Sequence, residues 1–193
     1  MRRRNLAVLV SLSLMGTMSM TGYAASEKET TTEAASTEAG STEAESKSAD
    51  QEAADKVADL IDAIYVQERT DKTDEQCKEA KEAWDALTDA QKELVEGENA
   101  DPDYFGRDTG DASKDDPRNG DEIGENEILV VSFGTSFNDS RAEDVKGIED
   151  ALAKAYPDWS VRRAFTAQII INHVQARDGE KIDNVDQALQ RAV

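Results

Sequence analysis

The chain has 193 residues, a net charge of −20, and only 38% hydrophobic and 5% aromatic residues. This balance argues against a nucleic-acid partner, because phosphate contacts need clustered Lys and Arg. It also disfavours electrostatic docking on an anionic membrane. The length allows one or two domains, but the apolar residues are too few for a core along the whole chain and must be concentrated in parts of it.

Residues 1–25 have the three parts of an export signal. Arg2 to Arg4 form a basic start, Leu6 to Met20 an apolar stretch, and Gly22 to Ala25 a small-residue cleavage region. The alternative, an uncleaved membrane anchor, is less favoured because the apolar stretch is short and interrupted by serines. The sequence therefore predicts an extracytoplasmic protein that is periplasmic, cell-surface or secreted.

Residues 26–50 contain the repeats TEAAS, TEAGS and TEAES. Such a tract offers no apolar face whose burial could offset the entropy of ordering its backbone. We expect a disordered acidic tether. A tether of this kind is typical of proteins that associate with a cell wall or surface.

Residues 51–98 predict a three-helix module. An apolar stripe at helical spacing marks the first helix, and capping boxes, Thr73 with Gln76 and Thr88 with Gln91, open the next two. The members of the stripe are Ala54, Val57, Leu60, Ile61 and Ile64. The stretch AWDALTDAQKELV resembles small helical modules of bacterial surface proteins, which implies a spacing or weak binding role. Cys77, the single cysteine, excludes an internal disulfide and is expected to be a small, semi-buried helix residue.

Residues 99–126 are rich in Asp, Gly and Pro and predict a solvated acidic linker. An acidic loop of this kind could bind calcium, but no EF-hand register fits its spacing.

Residues 127–193 alternate strand and helix, which predicts a parallel α/β sheet. The expected order is a strand at Ile128–Val131, a helix at Val145–Ala155, a strand at Trp159–Phe165 and helices at Ala167–Ala176 and Val185–Val193. This β-α-β-α-α pattern is too short to close a sheet of that class, so we expect an incomplete lobe in a chain that ends inside its domain.

A hydroxyl-rich loop follows the first of these strands. Ligands of open α/β sheets bind beyond the carboxyl ends of the strands, and Ser132, Gly134, Thr135 and Ser136 occupy that place. Gly134 permits close backbone approach, the hydroxyls add donors, and Asn138 or Asp139 could cap the following helix. The loop suits a carboxylate or phosphate, but a tight turn without a ligand explains the same residues. It matches neither a P-loop nor a dinucleotide fingerprint.

Three stretches together, ILVVSFGTSFNDSR, YPDWSVRRAFTAQIII and QARDGEKIDNVDQAL, resemble the start of the anaerobic-type sirohydrochlorin cobaltochelatases, which are related to ferrochelatases. The resemblance covers residues 127–193. It implies two α/β lobes with a tetrapyrrole between them, and insertion of Co²⁺ into sirohydrochlorin, without ATP or another cofactor, on the anaerobic route to cobalamin.

The resemblance also implies which groups orient the substrate and which groups handle the protons and the metal. The polycarboxylated substrate would be oriented by the hydroxyls of Ser132, Thr135 and Ser136, by helix N-termini and by arginines. Arg162, Arg163 and Arg141 are the nearby candidates, although solvation at the surface is the commoner fate of such arginines. In the family, histidines and a glutamate of the second lobe take the pyrrole protons and handle the metal. None of these lies in residues 127–193, so no catalytic or metal residue is assigned.

His173 is the single histidine, and a Co²⁺ site needs several converging N or O ligands. We therefore expect a structural or surface role for it. Two hypotheses remain. The first is an exported cobaltochelatase-like protein, seen here as a truncated and by itself inactive chain; the second is a non-enzymatic surface or tetrapyrrole-binding protein. The sequence indicates no oligomeric state.

Overall fold

A computed structural model describes residues 5–10, 40–100 and 105–192, with side chains from residue 49 onward. Its strands are β1 (Asn5–Val10), β2 (Asn126–Ser132) and β3 (Ser160–Phe165). Its helices are α1 (Gly40–Ile64), α2 (Thr73–Ala86), the single turn α3 (Asp89–Lys92), α5 (Gln168–Asp178) and α6 (Val185–Arg191). Between β2 and β3 runs α4, which comprises an α-turn (Asn138–Ser140), a π-helical turn (Arg141–Val145) and an α-helix (Lys146–Ala155). None of the helices in these ranges is long and apolar enough to cross a membrane.

The three strands form one parallel sheet in the order β1-β2-β3. β2 is central, and its five inner residues are buried. α4 covers one face through contacts of Leu152 with Ile128 and Val130, and α6 covers the other through Ala188 and Leu189. The predicted α/β class and the β-α-β-α-α order are therefore confirmed, and Ser132 lies opposite Phe165 at the carboxyl edge.

β1 lies within the segment that the sequence analysis assigned to an export signal. Its backbone pairs with β2 from Asn5 opposite Asn126 to Val10 opposite Val131. The same apolar residues can serve as a signal or as an edge strand, because both uses need a short apolar run. Cleavage after residue 25 would remove this strand from the sheet.

The tether prediction over 26–50 is wrong from residue 40 onward, since α1 begins at Gly40. The last part of the tether, GSTEAESKSAD, contains two Ala, two Glu and one Lys, which are strong helix formers and favour extension of the helix that follows. Residues 26–39 lie outside the described residues.

The helical module is confirmed in outline. Val57, Ile61 and Ile64 of the predicted stripe are buried, and Thr88 with Gln91 forms the predicted capping box. The box predicted at Thr73 is wrong, because the Thr73 hydroxyl accepts instead from the backbone N–H of Thr70, at 2.8 Å.

The module is not a separate spacer, because it packs against α5 of the lobe. Ala176 of α5 belongs to the module's own apolar core. The Asn172 side-chain amide donates to the carbonyl of Ile64 at 2.9 Å, and the Cys77 thiol donates to the carbonyl of Asn172 at 3.6 Å. Cys77 is fully buried, more than the sequence predicted, and burial raises its pKa to about 11.

The prediction of a solvated linker over 99–126 is wrong for much of its described part. Phe105 is buried against Trp84 and His173. Asp115 is buried beneath the lobe, where it pairs with arginines. The carbonyl of Arg118 accepts from the backbone N–H of Arg163 at 3.3 Å, so the linker also covers part of the outer edge of β3. The linker is ordered by charge pairing and by the burial of Phe105, and composition reveals neither.

The contact between module and lobe predicts a single unfolding transition. Asn172→Ala should lower the free energy of unfolding by about 1–3 kcal/mol, because it leaves the buried carbonyl of Ile64 without its donor. Urea denaturation followed by Trp84 fluorescence and by circular dichroism would measure it. Lys78→Ala, at an exposed i,i+4 ion pair, is the control and should change stability by less than about 0.5 kcal/mol. Two separate transitions in the unaltered protein would contradict the integrated fold.

Candidate functional site

The loop of residues 132–137 leaves the carboxyl end of β2. Backbone N–H groups of Thr166 and Ala167 donate to the carbonyls of Ser132 and Phe133, at 2.9 and 3.2 Å, and fasten the loop to the end of β3. Gly134 has φ of +99°, and a Cβ placed there would lie 2.4 Å from the Phe165 ring. The fold thus requires a glycine at this position whether or not a ligand binds.

Two arginines lie beneath the loop and bind its carbonyls. Arg141, in the π-helical turn of α4, donates to the carbonyls of Ser136 at 3.1 Å and Thr135 at 3.4 Å. Arg177, near the end of α5, donates to the carbonyl of Ser136 at 2.6 Å. Both also donate to the Asn138 side-chain oxygen. Asn138 therefore does not cap α4 as expected; Phe137 occupies the N-cap position, without a side-chain cap.

Buried carboxylates hold these arginines in place. Asp115 accepts from Arg141 at 3.0 Å and from both terminal nitrogens of Arg163, at 2.7 and 2.8 Å. Asp178 binds Arg177 through both its oxygens, at 2.9 and 2.7 Å. Burial raises the pKa of Asp115, but the hydrogen bonds and charges of Arg163 and Arg141 outweigh burial, so the net pKa lies below the ordinary value.

The network extends to the middle of α4. Glu149 is fully buried and accepts from Arg163 at 2.8 and 2.9 Å. Here burial outweighs the arginines and raises the pKa. The two carboxylates that share Arg163 thus shift in opposite directions, because Glu149 lies deeper and feels the charge of Asp115, and these effects outweigh its pairing with Arg163 and Arg118.

The three arginines predicted to face a substrate carboxylate do not do so. Arg141 and Arg163 are fully buried and committed to the network. Arg162 is 3% exposed on the opposite face of β3, where it pairs with Glu127 and Asp183, at 2.9 and 3.2 Å. Arg162 and Arg163 stand at consecutive strand positions and point to opposite faces of the sheet, both of which are covered here. These two arginines are therefore structural, and so is the buried Arg141 of α4.

The outer side of the loop is aromatic and carries backbone donors. Phe133 is 53% exposed and Phe137 38% exposed, and the guanidinium of Arg107 lies 5.9 Å from the centre of the Phe137 ring. The N–H of Phe137 donates to the Thr135 hydroxyl at 3.2 Å, and that of Ser136 has no hydrogen-bond partner among the described residues. The N–H of Asp139 is already bound to the carbonyl of Thr109, at 2.8 Å. Sequence reasoning did not single out the two phenylalanines, although both stand in SFGTSF.

His173 has the structural role that the sequence predicted. It is 2% exposed, packs edge-on against Phe105 and lies 3.3 Å from a terminal nitrogen of Arg177. Burial, with the charge of Arg177, lowers its pKa to about 4. Within the described ranges no three His, Cys, Asp or Glu side chains are grouped so as to hold a metal ion.

A concavity of about 560 Å³ lies at the same edge of the sheet between the α1–α2 turn and the starts of α5 and α6. Its lining includes Glu68, Asp71 and Asp186 with several amide side chains. Arg69 also lines it, but is paired with Asp74 at 2.7 Å. This acidic wall would repel a polycarboxylate, which makes the loop of residues 132–137 the better candidate for one.

Comparison with known proteins finds matches to this part of the chain. Residues 126–192 match the family model for cobalt chelatase (CbiK). Over 64 residues the chain is 45% identical to the sirohydrochlorin cobaltochelatase of Salmonella typhimurium strain LT2, which covers 33% of this chain and 24% of that relative. The chain thus spans about a quarter of the length of this curated relative. No solved structure matches the chain.

The α/β segment with its strand-end loop is therefore the part of the chain that is similar to known metal chelatases. Within that class, residues 126–192 are similar to the cobalt chelatase family, as the motifs had indicated.

The burial of His173 predicts a low pKa for its imidazole. Because the sequence has a single histidine, the NMR signals of the histidine ring protons report this residue alone. Its imidazole should stay neutral until the pH falls to about 4. Because the unfolded chain binds this proton near pH 6.5, the folded protein should lose stability as the pH falls from about 6.5 to 4. NMR titration of the His173 ring protons would measure the pKa, and a value near 6.5 would place the ring in solvent and contradict the packing.

Proposed function

We propose that this protein acts as a sirohydrochlorin cobaltochelatase-like metal chelatase, and that the loop of residues 132–137 binds the tetrapyrrole. The observation that carries the proposal is the combination of the family match over residues 126–192 with a loop that presents hydroxyls, backbone donors and two exposed phenylalanines at the carboxyl edge of the sheet. Co²⁺ is a substrate of this reaction, not a resident cofactor.

The loop suits both chemical features of such a substrate. The carboxylates at the rim of the tetrapyrrole accept hydrogen bonds from the hydroxyls of Ser132 and Thr135 and from the backbone of Ser136. The apolar plane of the macrocycle packs against Phe133 and Phe137, whose exposure would otherwise be unfavourable. The loop thereby holds and orients the substrate. The resemblance assigns proton removal and metal delivery to groups outside residues 127–193.

Exposed aromatic side chains provide a matched test of the binding surface. Phe133→Ala should weaken the binding of sirohydrochlorin about tenfold, because an aromatic contact of this kind contributes about 1–1.5 kcal/mol. Tyr156→Ala removes an aromatic ring of similar exposure, 48%, after α4 at the opposite edge of the sheet, and should leave affinity unchanged. Fluorescence titration with thermal melting of each variant would measure both. Equal affinities of Phe133→Ala and the unaltered protein would remove the loop from the binding site.

We also propose that the protein is exported, on the strength of the basic start, apolar stretch and small-residue region within residues 1–25. The exported form would begin near Ser26 and would lack β1. Amino-terminal sequencing of the protein recovered from the extracytoplasmic fraction of an expressing bacterium should give a sequence that starts close to residue 26. A chain that keeps Met1 and stays in the cytoplasm would show that residues 5–10 serve the sheet instead.

A tetrapyrrole-binding protein without chelatase activity is the second candidate. The features of the described loop are those of binding, with hydroxyls, amides and aromatic rings but no proton-accepting side chain. Incubation of the protein with sirohydrochlorin and Co²⁺, followed by absorbance, separates the two. If the protein metallates sirohydrochlorin faster than the reaction proceeds without protein, the chelatase is supported. If the protein binds sirohydrochlorin but does not change the rate of metallation, the tetrapyrrole-binding protein is supported.

A further inference from the structure

We propose that Arg141 and Arg177 are positioning residues, which turn the backbone of the 132–137 loop so that its N–H groups face the substrate. This rests on the proposed function, because it explains how the loop binds a carboxylate. Neither guanidinium touches the ligand. Each acts by holding loop carbonyls on the inner side.

The argument starts from peptide geometry. In a trans peptide the carbonyl of one residue and the N–H of the next point in opposite directions, and the described chain has no cis peptide bond. Arg141 binds the carbonyl of Thr135, so the N–H of Ser136 points away from the arginines. Arg141 and Arg177 both bind the carbonyl of Ser136, so the N–H of Phe137 points away as well.

The charges of the arginines are already matched within the protein. Four buried or nearly buried arginines, Arg118, Arg141, Arg163 and Arg177, face five carboxylates, Asp115, Glu149, Asp150, Asp178 and Glu180. A substrate carboxylate therefore gains little from the net charge beneath the loop. The donors that remain are the outward N–H of Ser136 and the loop hydroxyls, among them that of Thr135, which accepts from the outward N–H of Phe137.

The carboxylates fix the angle of each guanidinium. Arg177 donates hydrogen bonds to both oxygens of Asp178. Arg141 is held by Asp115 at one end and by Glu180 at 3.2 Å at the other. Gly179, with φ of +76°, ends α5 between Asp178 and Glu180 and lets the chain turn so that both carboxylates reach the arginines. A lysine could not reproduce this fork of donors.

Variants of Arg177 test the proposal, because its side chain keeps 9% exposure and its loss is less disruptive than that of Arg141. Arg177→Gln should raise the Kd for sirohydrochlorin about tenfold, and Arg177→Lys should recover only part of that loss. Arg191→Gln is the matched control, because it too removes an arginine that is paired with a carboxylate. Arg191 pairs with Asp183 and has no contact with the loop. Its Kd should equal that of the unaltered protein. Circular dichroism and a thermal melt of each variant establish that the compared proteins are folded.

A second measurement reads the loop itself. In the unaltered protein the amide NMR signals of Ser136 and Phe137 should shift when sirohydrochlorin is added, and in Arg177→Gln both shifts should shrink and the free amides should exchange faster with solvent. Fully esterified sirohydrochlorin should leave the two signals in place in the unaltered protein.

The outcomes are distinct. If the unaltered protein does not bind sirohydrochlorin, the proposed function fails and the positioning role fails with it. If it binds, but folded Arg177→Gln binds equally well or the Ser136 and Phe137 signals do not move, the positioning role is overturned while the proposed function stands.

Discussion

The buried pairing of Asp115 with Arg163 and Arg141 is the interaction on which the rest of the lobe depends. It joins the segment after the helical module to β3 and to the π-helical turn of α4. All three side chains are fully shielded from solvent. Removing one partner of such a pair typically costs about 3–5 kcal/mol, because the other charge is left buried and unpaired. The net stabilisation by the intact pair is smaller, but the pairing specifies one arrangement of these segments.

That arrangement divides the loop of residues 132–137 into two sides. The inner side presents carbonyls to arginines, and the outer side carries two exposed phenylalanines, the hydroxyls of Ser132 and Thr135, and the N–H of Ser136, a residue that is itself 6% exposed. Gly134 permits this because any larger residue would meet the Phe165 ring, which also lies 5.7 Å from the Arg163 guanidinium. The helical module contributes at a distance, since its docking on α5 fixes the helix that carries Arg177. Segments outside the family match thus support the loop inside it.

The sequence predicted the secondary-structure elements and the helix cap that short-range patterns of residues determine. The apolar run at Ile128–Val131, the alternation of strand and helix, and the Thr88 capping box each have a short-range signature. It could not predict which of many acidic residues is buried, because Asp115 stands in a linker with several similar aspartates and is selected by its distant partners. The roles of Arg141, Arg162 and Arg163 were misread for the same reason. An arginine beside a ligand loop and an arginine beneath it look alike in sequence, and only the strand faces separate them.

The position of the carboxylates in a complex with sirohydrochlorin tests the central claim most directly. A crystal structure of that complex should place a carboxylate oxygen about 2.7–3.2 Å from the backbone nitrogen of Ser136, with Arg141 and Arg177 still bound to the loop carbonyls on the other side. A substrate carboxylate paired directly with either guanidinium, or seated in the acidic concavity beside the α1–α2 turn, would contradict the account.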